Sequence, residues 1–138
     1  MNAPRDTTTV LVFSHRPGVR EAIINAVGRR PAADVGRLRY VEAATIAEVL
    51  TEVDAGAVDL AILDGEAQPT GGMGLSRQLK NEIAQCPPVI VSVQRRDDRW
   101  LAVWSQADAV LVHPLDPLVA AETVAEVLRA HRLPVANT

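Results

Sequence analysis

Several apolar runs in this sequence end on side chains able to do chemistry. Val58-Asp59-Leu60-Ala61-Ile62-Leu63 runs into Asp64-Gly65-Glu66, Thr9-Val10-Leu11-Val12-Phe13 into Ser14-His15, and Ala109-Val110-Leu111-Val112 into His113-Pro114. Short apolar runs of this kind mark buried parallel strands. Open α/β sheets place their sites in the crevice at the carboxyl ends of such strands, so Asp64 is set where a carboxylate is useful. A carboxylate with a hydroxyl and imidazoles invites comparison with a hydrolase triad. No G-x-S-x-G elbow accompanies it, and residues at neighbouring strand ends need not share triad geometry. Gly71-Gly72-Met73-Gly74 ahead of a helix has free amides for an anion. It lacks the Lys-Ser/Thr of a phosphate loop and the spacing of a dinucleotide fingerprint, so a flexible loop is the reading it supports. An enzyme is not expected, and neither a cofactor nor a catalytic residue is assigned.

The elements that must position these residues alternate along the chain. After the first strand, Pro17 suits the first turn of a helix in which Val19, Ile23, Ile24 and Val27 recur at helical spacing until Gly28. A loop from Arg29 to Gly36 precedes a second strand through Leu38, Tyr40 and Glu42. Thr45 and Glu48 form a capping box for a helix over Ile46 to Asp54. The central strand ends at Asp64; a loop from Ala67 to Gly74 leads to a helix over Leu75 to Gln85. A fourth strand spans Pro88 to Val93, a fourth helix Asp97 to Gln106, and a fifth strand Ala109 to His113. Asp116-Pro117 caps and opens the last helix. Five strand-helix alternations predict a parallel sheet with helices on both faces and right-handed crossovers. The expected domain covers 9–132, between a flexible N-terminus (1–8) and a flexible C-terminus (133–138).

Composition narrows the function classes. The 138 residues suffice for one core without cross-links or metals. With one Phe, one Tyr and two Trp, that core must be built from Val, Leu, Ile and Ala. A formal charge of −3 gives no electrostatic reason to expect nucleic-acid or membrane binding, and no run approaches the ~20 apolar residues needed for membrane insertion. Thirteen Arg against the single Lys80 supply planar, bidentate donors for protein contacts. Cys86 is the only cysteine, which excludes an internal disulfide or a cysteine-based metal cluster and fits a reducing, cytoplasmic compartment. It reads as a buried or half-buried structural thiol.

The central run ending in Asp64, the Val10-to-Pro17 segment, Pro88-Val89-Ile90-Val91 and His113-Pro114 resemble response-regulator receivers over almost the whole chain. The resemblance implies a flavodoxin-like (βα)5 doubly wound sheet in strand order 2-1-3-4-5, with Asp64 as the phosphoacceptor. Leu60 to Glu66, Pro69 to Gly74 and Asp97 to Leu101 are similar to a narrower group of stand-alone actinobacterial receivers encoded beside type I NADH dehydrogenase. For that group the association implies an accessory subunit on the hydrophilic arm of respiratory complex I, and hence a position at the cytoplasmic face of the membrane through that complex.

Set against the receiver pattern, most of the pocket has changed. The acid pair at the end of the first strand becomes Ser14 and His15, and imidazole is a poor ligand for a hard cation such as Mg²⁺. Asp64 and the Glu66 carbonyl alone would hold that ion weakly, so no metal site is expected. The family's Lys at the end of the fifth strand becomes His113. Its signalling hydroxyl falls on Val93 if Pro88 sets the register, or on Ser92 after a one-residue shift that turns to the other face. Aliphatic residues around Val110 occupy the aromatic switch position, and Pro69 is displaced by one residue. The expected remnant is a standing pocket of Asp64, Ser14, His15 and His113, in which hydrogen bonds or an imidazolium replace metal and phosphate. Trp100 and Trp104, one helical turn apart, either anchor a partner on the face that receivers commonly use or pack on the sheet. Arg95, Arg96 and Arg99 beside them read as a contact rim. The expectation is a degenerate receiver acting as a protein-interaction module; the alternative is a phosphorylatable single-domain regulator of a two-component phosphorelay.

Overall fold

The computed structural model describes residues 7–66 and 71–136. Five strands form a parallel sheet in the order β2-β1-β3-β4-β5. In chain order the elements are β1 (Thr7–Phe13), α1 (Pro17–Val27), β2 (Arg37–Ala43), α2 (Ile46–Asp54), β3 (Leu60–Asp64), α3 (Gly72–Glu82), β4 (Val89–Val93), α4 (Arg99–Trp104), β5 (Ala109–Val112) and α5 (Pro117–Ala136). The (βα)5 alternation and the 2-1-3-4-5 order are as expected.

Two apolar layers follow from the period-2 alternation of side chains along each strand. Leu11, Phe13, Ala61, Leu63, Val89, Val91 and Val93 face α2 and α3, where they meet Val49, Val53, Met73, Leu75 and Leu79. Val10, Val12, Leu60, Ile62, Ile90 and Leu111 face α1 and α5, where they meet Ile23, Val27, Val124 and Leu128. β3 is buried along its whole length, which is why it reads as an unbroken apolar run. Thr45 caps α2 with its side chain accepting from the Glu48 amide while Glu48 takes the Thr45 amide, and the Asp116 carboxylate accepts from the amides of Leu118 and Val119 at the start of α5.

Several expected boundaries move. β1 begins at Thr7, inside the segment expected to be flexible, because Thr7 pairs with Arg37 and so extends the β1-β2 ladder. α5 continues to Ala136, through residues expected to lie beyond the domain. α3 starts at Gly72 and ends at Glu82, three residues earlier at each end than its spacing predicts. The cause is close approach: a Cβ on Gly72 would lie 2.5 Å from the Asp64 carbonyl oxygen, so glycine is needed within the helix and does not mark a loop. The fourth helix is shorter than expected, a 3-10 turn over Arg96–Asp98 followed by the six residues of α4; Gln106, at a φ of 65°, turns the chain out of it. Pro69, expected to be displaced in the loop after β3, lies outside the described residues.

Candidate functional site: a closed carboxylate at the end of β3

Asp64 is the last residue of β3 and has no exposed surface. A buried carboxylate must be compensated by hydrogen bonds or opposite charge, and both are present. The Ser14 hydroxyl, at the end of β1, donates to Asp64 Oδ2 at 2.7 Å. The Arg16 guanidinium reaches the same oxygen at 3.3 Å. The Glu66 amide donates to Oδ1 at 2.8 Å across the turn that leaves the strand. Ser14 is held in turn: its Oγ accepts from the Arg16 amide at 3.0 Å, so its proton is directed at the carboxylate. Arg20 fixes the Ser14 backbone, donating to its carbonyl at 2.6 Å while pairing with Glu42 at 2.8 Å.

His113 follows the same face of β5 as Leu111, and its Nε2 is buried with no hydrogen-bond partner. Burial pushes its pKa below the ordinary histidine value; Asp64 and Glu66 pull it up, and Arg16 pushes it further down. The imidazole is therefore neutral at pH 7. This overturns the imidazolium half of the expected pocket: the cation beside Asp64 is Arg16, and its presence disfavours a second one. His15 also stands apart from that expectation, since its side chain is exposed at the rim.

At the end of β4 the ladder pairs Asp64 with Ser92, and Ser92 with Leu111. Paired residues share a face, so the hydroxyl beside Asp64 is that of Ser92, while Val93 is buried in the opposite layer against α3. The Ser92 Oγ is buried without a partner. Arg16 was missed from the sequence. Its signal is slight: a lone arginine two residues beyond Ser14, just before Pro17, within side-chain reach of the strand ends.

The resemblance to receivers implies that such an aspartate is phosphorylated with the help of Mg²⁺. The donor set does not fit that ion. Among the described residues Asp64 is the carboxylate that ends a strand at the crevice; both its oxygens are taken by the chain's own donors, one of them a guanidinium. Among the described residues no group of three His, Cys, Asp or Glu side chains is arranged to hold a metal.

No family model matches the chain. Two response regulatory proteins of Mycobacterium tuberculosis, from strains CDC 1551 and H37Rv, are each 51% identical to it over 121 residues, covering 88% of this chain and 91% of theirs. The chain belongs to the response-regulator receiver family. Solved receivers share its fold at low sequence identity. A response regulator from Chloroflexus aurantiacus superposes with a TM-score of 0.73 at 17% identity, covering 88% of this chain and 98% of that one. A chemotaxis response regulator of Vibrio cholerae gives 0.70 at 17% identity, with the same coverage.

Within this receiver the expected partner-binding residues lie in α4 and the turn just before it. Trp100 is 65% exposed and Trp104 48%, so neither packs on the sheet. The large apolar side chains exposed among the described residues, Trp100, Val103, Trp104, Leu118 and Val119, all belong to α4 and the start of α5. Arg77 lies over the Trp104 ring at 4.7 Å and donates to its carbonyl at 2.8 Å, which steadies that side chain. Beside them a cleft of about 410 Å³ is lined by Arg96, Arg99, Val112, His113 and Val119 among others. Arg95 is engaged by Asp98 at 3.7 Å. Cys86, half-buried, has a thiol pKa raised by burial and a bond to the Pro87 carbonyl, in keeping with a structural role. No described helix is long and apolar enough to cross a membrane.

Proposed function

We propose that this receiver works as a protein-interaction module whose phosphoacceptor position is permanently occupied by its own side chains. The observation that carries this reading is the closure of Asp64: Ser14, Arg16 and the Glu66 amide supply internally what a receiver otherwise obtains from metal and phosphate. An incoming phosphoryl group would have to displace the Arg16 guanidinium. It would then find a hydroxyl and an imidazole where two acids should gather a cation, and a neutral imidazole where a lysine should neutralise charge. The α4 and α5 surface, with its two tryptophans, is the proposed contact face.

The proposed partner is the hydrophilic arm of type I NADH dehydrogenase, which makes the chain an accessory subunit on the cytoplasmic side of that complex. This rests on the resemblance carried by Leu60 to Glu66, Pro69 to Gly74 and Asp97 to Leu101. A native pull-down on the tagged chain tests it. Hydrophilic-arm subunits should be recovered, and their absence from the eluate of an otherwise intact complex removes the partner.

Retention of Asp64 at the end of β3 favours a second reading, a single-domain regulator of a two-component phosphorelay. Intact mass after incubation with a small phosphodonor and Mg²⁺ separates the two. The first reading expects no phosphoryl adduct; rapid stoichiometric modification of Asp64 replaces it with the second.

A further inference from the structure

Several arginines of the described chain are engaged: Arg16 with Asp64, Arg20 with Glu42, Arg77 with Trp104, Arg95 with Asp98, and Arg129 with Asp34. Arg29, Arg37 and Arg39 are different. All three are exposed, and none has an ion pair among the described residues; Arg39 makes only a 3.4 Å contact to the Thr9 hydroxyl. They are also close together. Arg37 and Arg39 are alternate residues of β2, on one face and so about 6.6 Å apart along the strand. The Arg29 carbonyl accepts from the amide of Leu38, between them, at 2.7 Å. The acids nearby are committed elsewhere: Glu42 to Arg20, Asp34 to Arg129, and Asp59 to the Thr9 amide at 2.8 Å.

These arginines ring a cavity of about 390 Å³ completed by Thr7, Leu38 and Tyr40. Leu38 and Tyr40 face the α1 and α5 layer, whereas Arg37 and Arg39 face the other way. The cavity therefore draws on both faces of β2. β2 is the outer strand of the sheet and pairs with β1 alone; on its far edge the Leu38 amide is taken by the Arg29 carbonyl, so main-chain groups are open for a further strand only beyond it, from Tyr40 onward. An apolar floor and cationic walls, with the strand edge open from Tyr40 onward, fit an extended chain that carries carboxylates. Like charges held together on a chain with a net charge of −3 are a standing electrostatic cost, relieved by an anionic partner.

We infer that the β2 edge, through Arg29, Arg37 and Arg39, is a docking site for an extended acidic segment of a partner protein. This surface is separate from both the Asp64 crevice and the tryptophan face, so the inference goes beyond the proposed function and does not depend on whether Asp64 takes phosphate. Binding at this edge draws affinity and selectivity from the three guanidinium groups, with main-chain pairing added only beyond Leu38.

The test is fluorescence anisotropy of the full chain with a labelled eight-residue peptide rich in Asp and Glu around a central Leu, alongside its Asn/Gln counterpart. The acidic peptide should bind in preference, with affinity falling as salt shortens the range of the charges. Arg37→Glu with Arg39→Glu should weaken binding about tenfold or more, whereas Lys80→Gln on α3 should leave it unchanged. Arg37→Gln with Arg39→Gln keeps the edge polar and should weaken binding less; circular dichroism checks that each variant is folded. Equal binding of the two peptides overturns the inference, as does full affinity in both Arg37/Arg39 variants. If inorganic phosphate, a short RNA or anionic lipid vesicles displace the acidic peptide at its own concentration, the site is a general anion surface and the assignment to a protein segment fails.

Discussion

The crevice over Asp64 and the surface of α4 and α5 lie at the same end of this receiver, yet they treat their polar and apolar groups in opposite ways. In the crevice a fully buried carboxylate has partners on both oxygens, supplied within the chain, and the hydroxyl that serves it is itself oriented by the Arg16 amide. Over α4 and α5, two tryptophans and three aliphatic side chains are left in water. A site that awaits a ligand keeps unmet polar valences, and a surface that awaits a partner keeps unmet apolar area. By that measure Asp64 itself has been internalised as structure; the unmet polar atoms of the crevice are its neighbours Ser92 Oγ and His113 Nε2, and the unmet apolar area lies on α4 and α5.

The largest effect that can break this comparison is at the tryptophans. Trp100→Ala with Trp104→Ala should cost about 2 kcal/mol or more of binding, roughly thirtyfold in Kd toward the partner recovered in the pull-down, while urea unfolding stays near wild type. If stability falls and binding survives, the ring exposure reflects packing and the contact face lies elsewhere. Next in size is Ser14→Ala. A buried hydrogen bond to a charged group is worth about 1.5–3 kcal/mol, and its loss leaves Asp64 Oδ2 with the guanidinium alone, so the urea midpoint should drop accordingly. Arg16→Gln sharpens the point: that side chain is 46% exposed, so solvent screening holds its contribution to about 1 kcal/mol or less. An Arg16 variant less stable than Ser14→Ala would mean that charge, and not the hydrogen bond, closes the pocket.

How far the two regions can be read from sequence depends on the range of the interactions that build them. The position of Asp64 was legible because an apolar run with no polar interruption has to be a strand buried on both faces, and its first carboxylate has to emerge at the crevice. The cap of α2 was legible because Thr45 and Glu48 act over three residues. Arg16 was not legible, since a long, rotamer-rich side chain beyond a strand end can turn to any of several neighbours. Nor does the spacing of Trp100 and Trp104 say which side of α4 they occupy; a helix of only six residues has too few apolar positions to define a face. The start of α3 was misplaced for a related reason. Gly71 to Gly74 carries no periodic signal, and the demand that a glycine sit against the Asp64 carbonyl is tertiary.

That contact supplies a further prediction, which separates the scaffold of the crevice from its hydrogen bonds. A methyl at Gly72 would meet the backbone of both Asp64 and Leu63, atoms that cannot rotate away. Gly72→Ala should therefore destabilise the fold by about 1–3 kcal/mol, although alanine is the better helix former. A neutral or stabilising result in thermal unfolding would show that α3 can shift off β3 and that the crevice is more pliant than its burial implies.

The smallest expected effect concerns pH and tests whether His113 belongs to the closed region or to the cleft beside it. Its pKa in the folded chain is lowered from the ordinary 6.5, mainly by burial, so the unfolded chain binds the proton more readily. The groups acting on it pull in both directions: Asp64 and Glu66 favour the proton, and Arg16 opposes it. The contribution is fully present above pH 6.5 and declines as the pH falls from there toward the lower folded value, because the neutral imidazole must be charged against its burial. His113→Phe should flatten the fall in stability over that window and leave the fall at lower pH in place. If the slope is unchanged, the proton responsible is carried elsewhere. If Arg16→Gln raises the His113 pKa by NMR titration, the guanidinium adds to burial in keeping the imidazole neutral, and the crevice and the cleft share one electrostatic field.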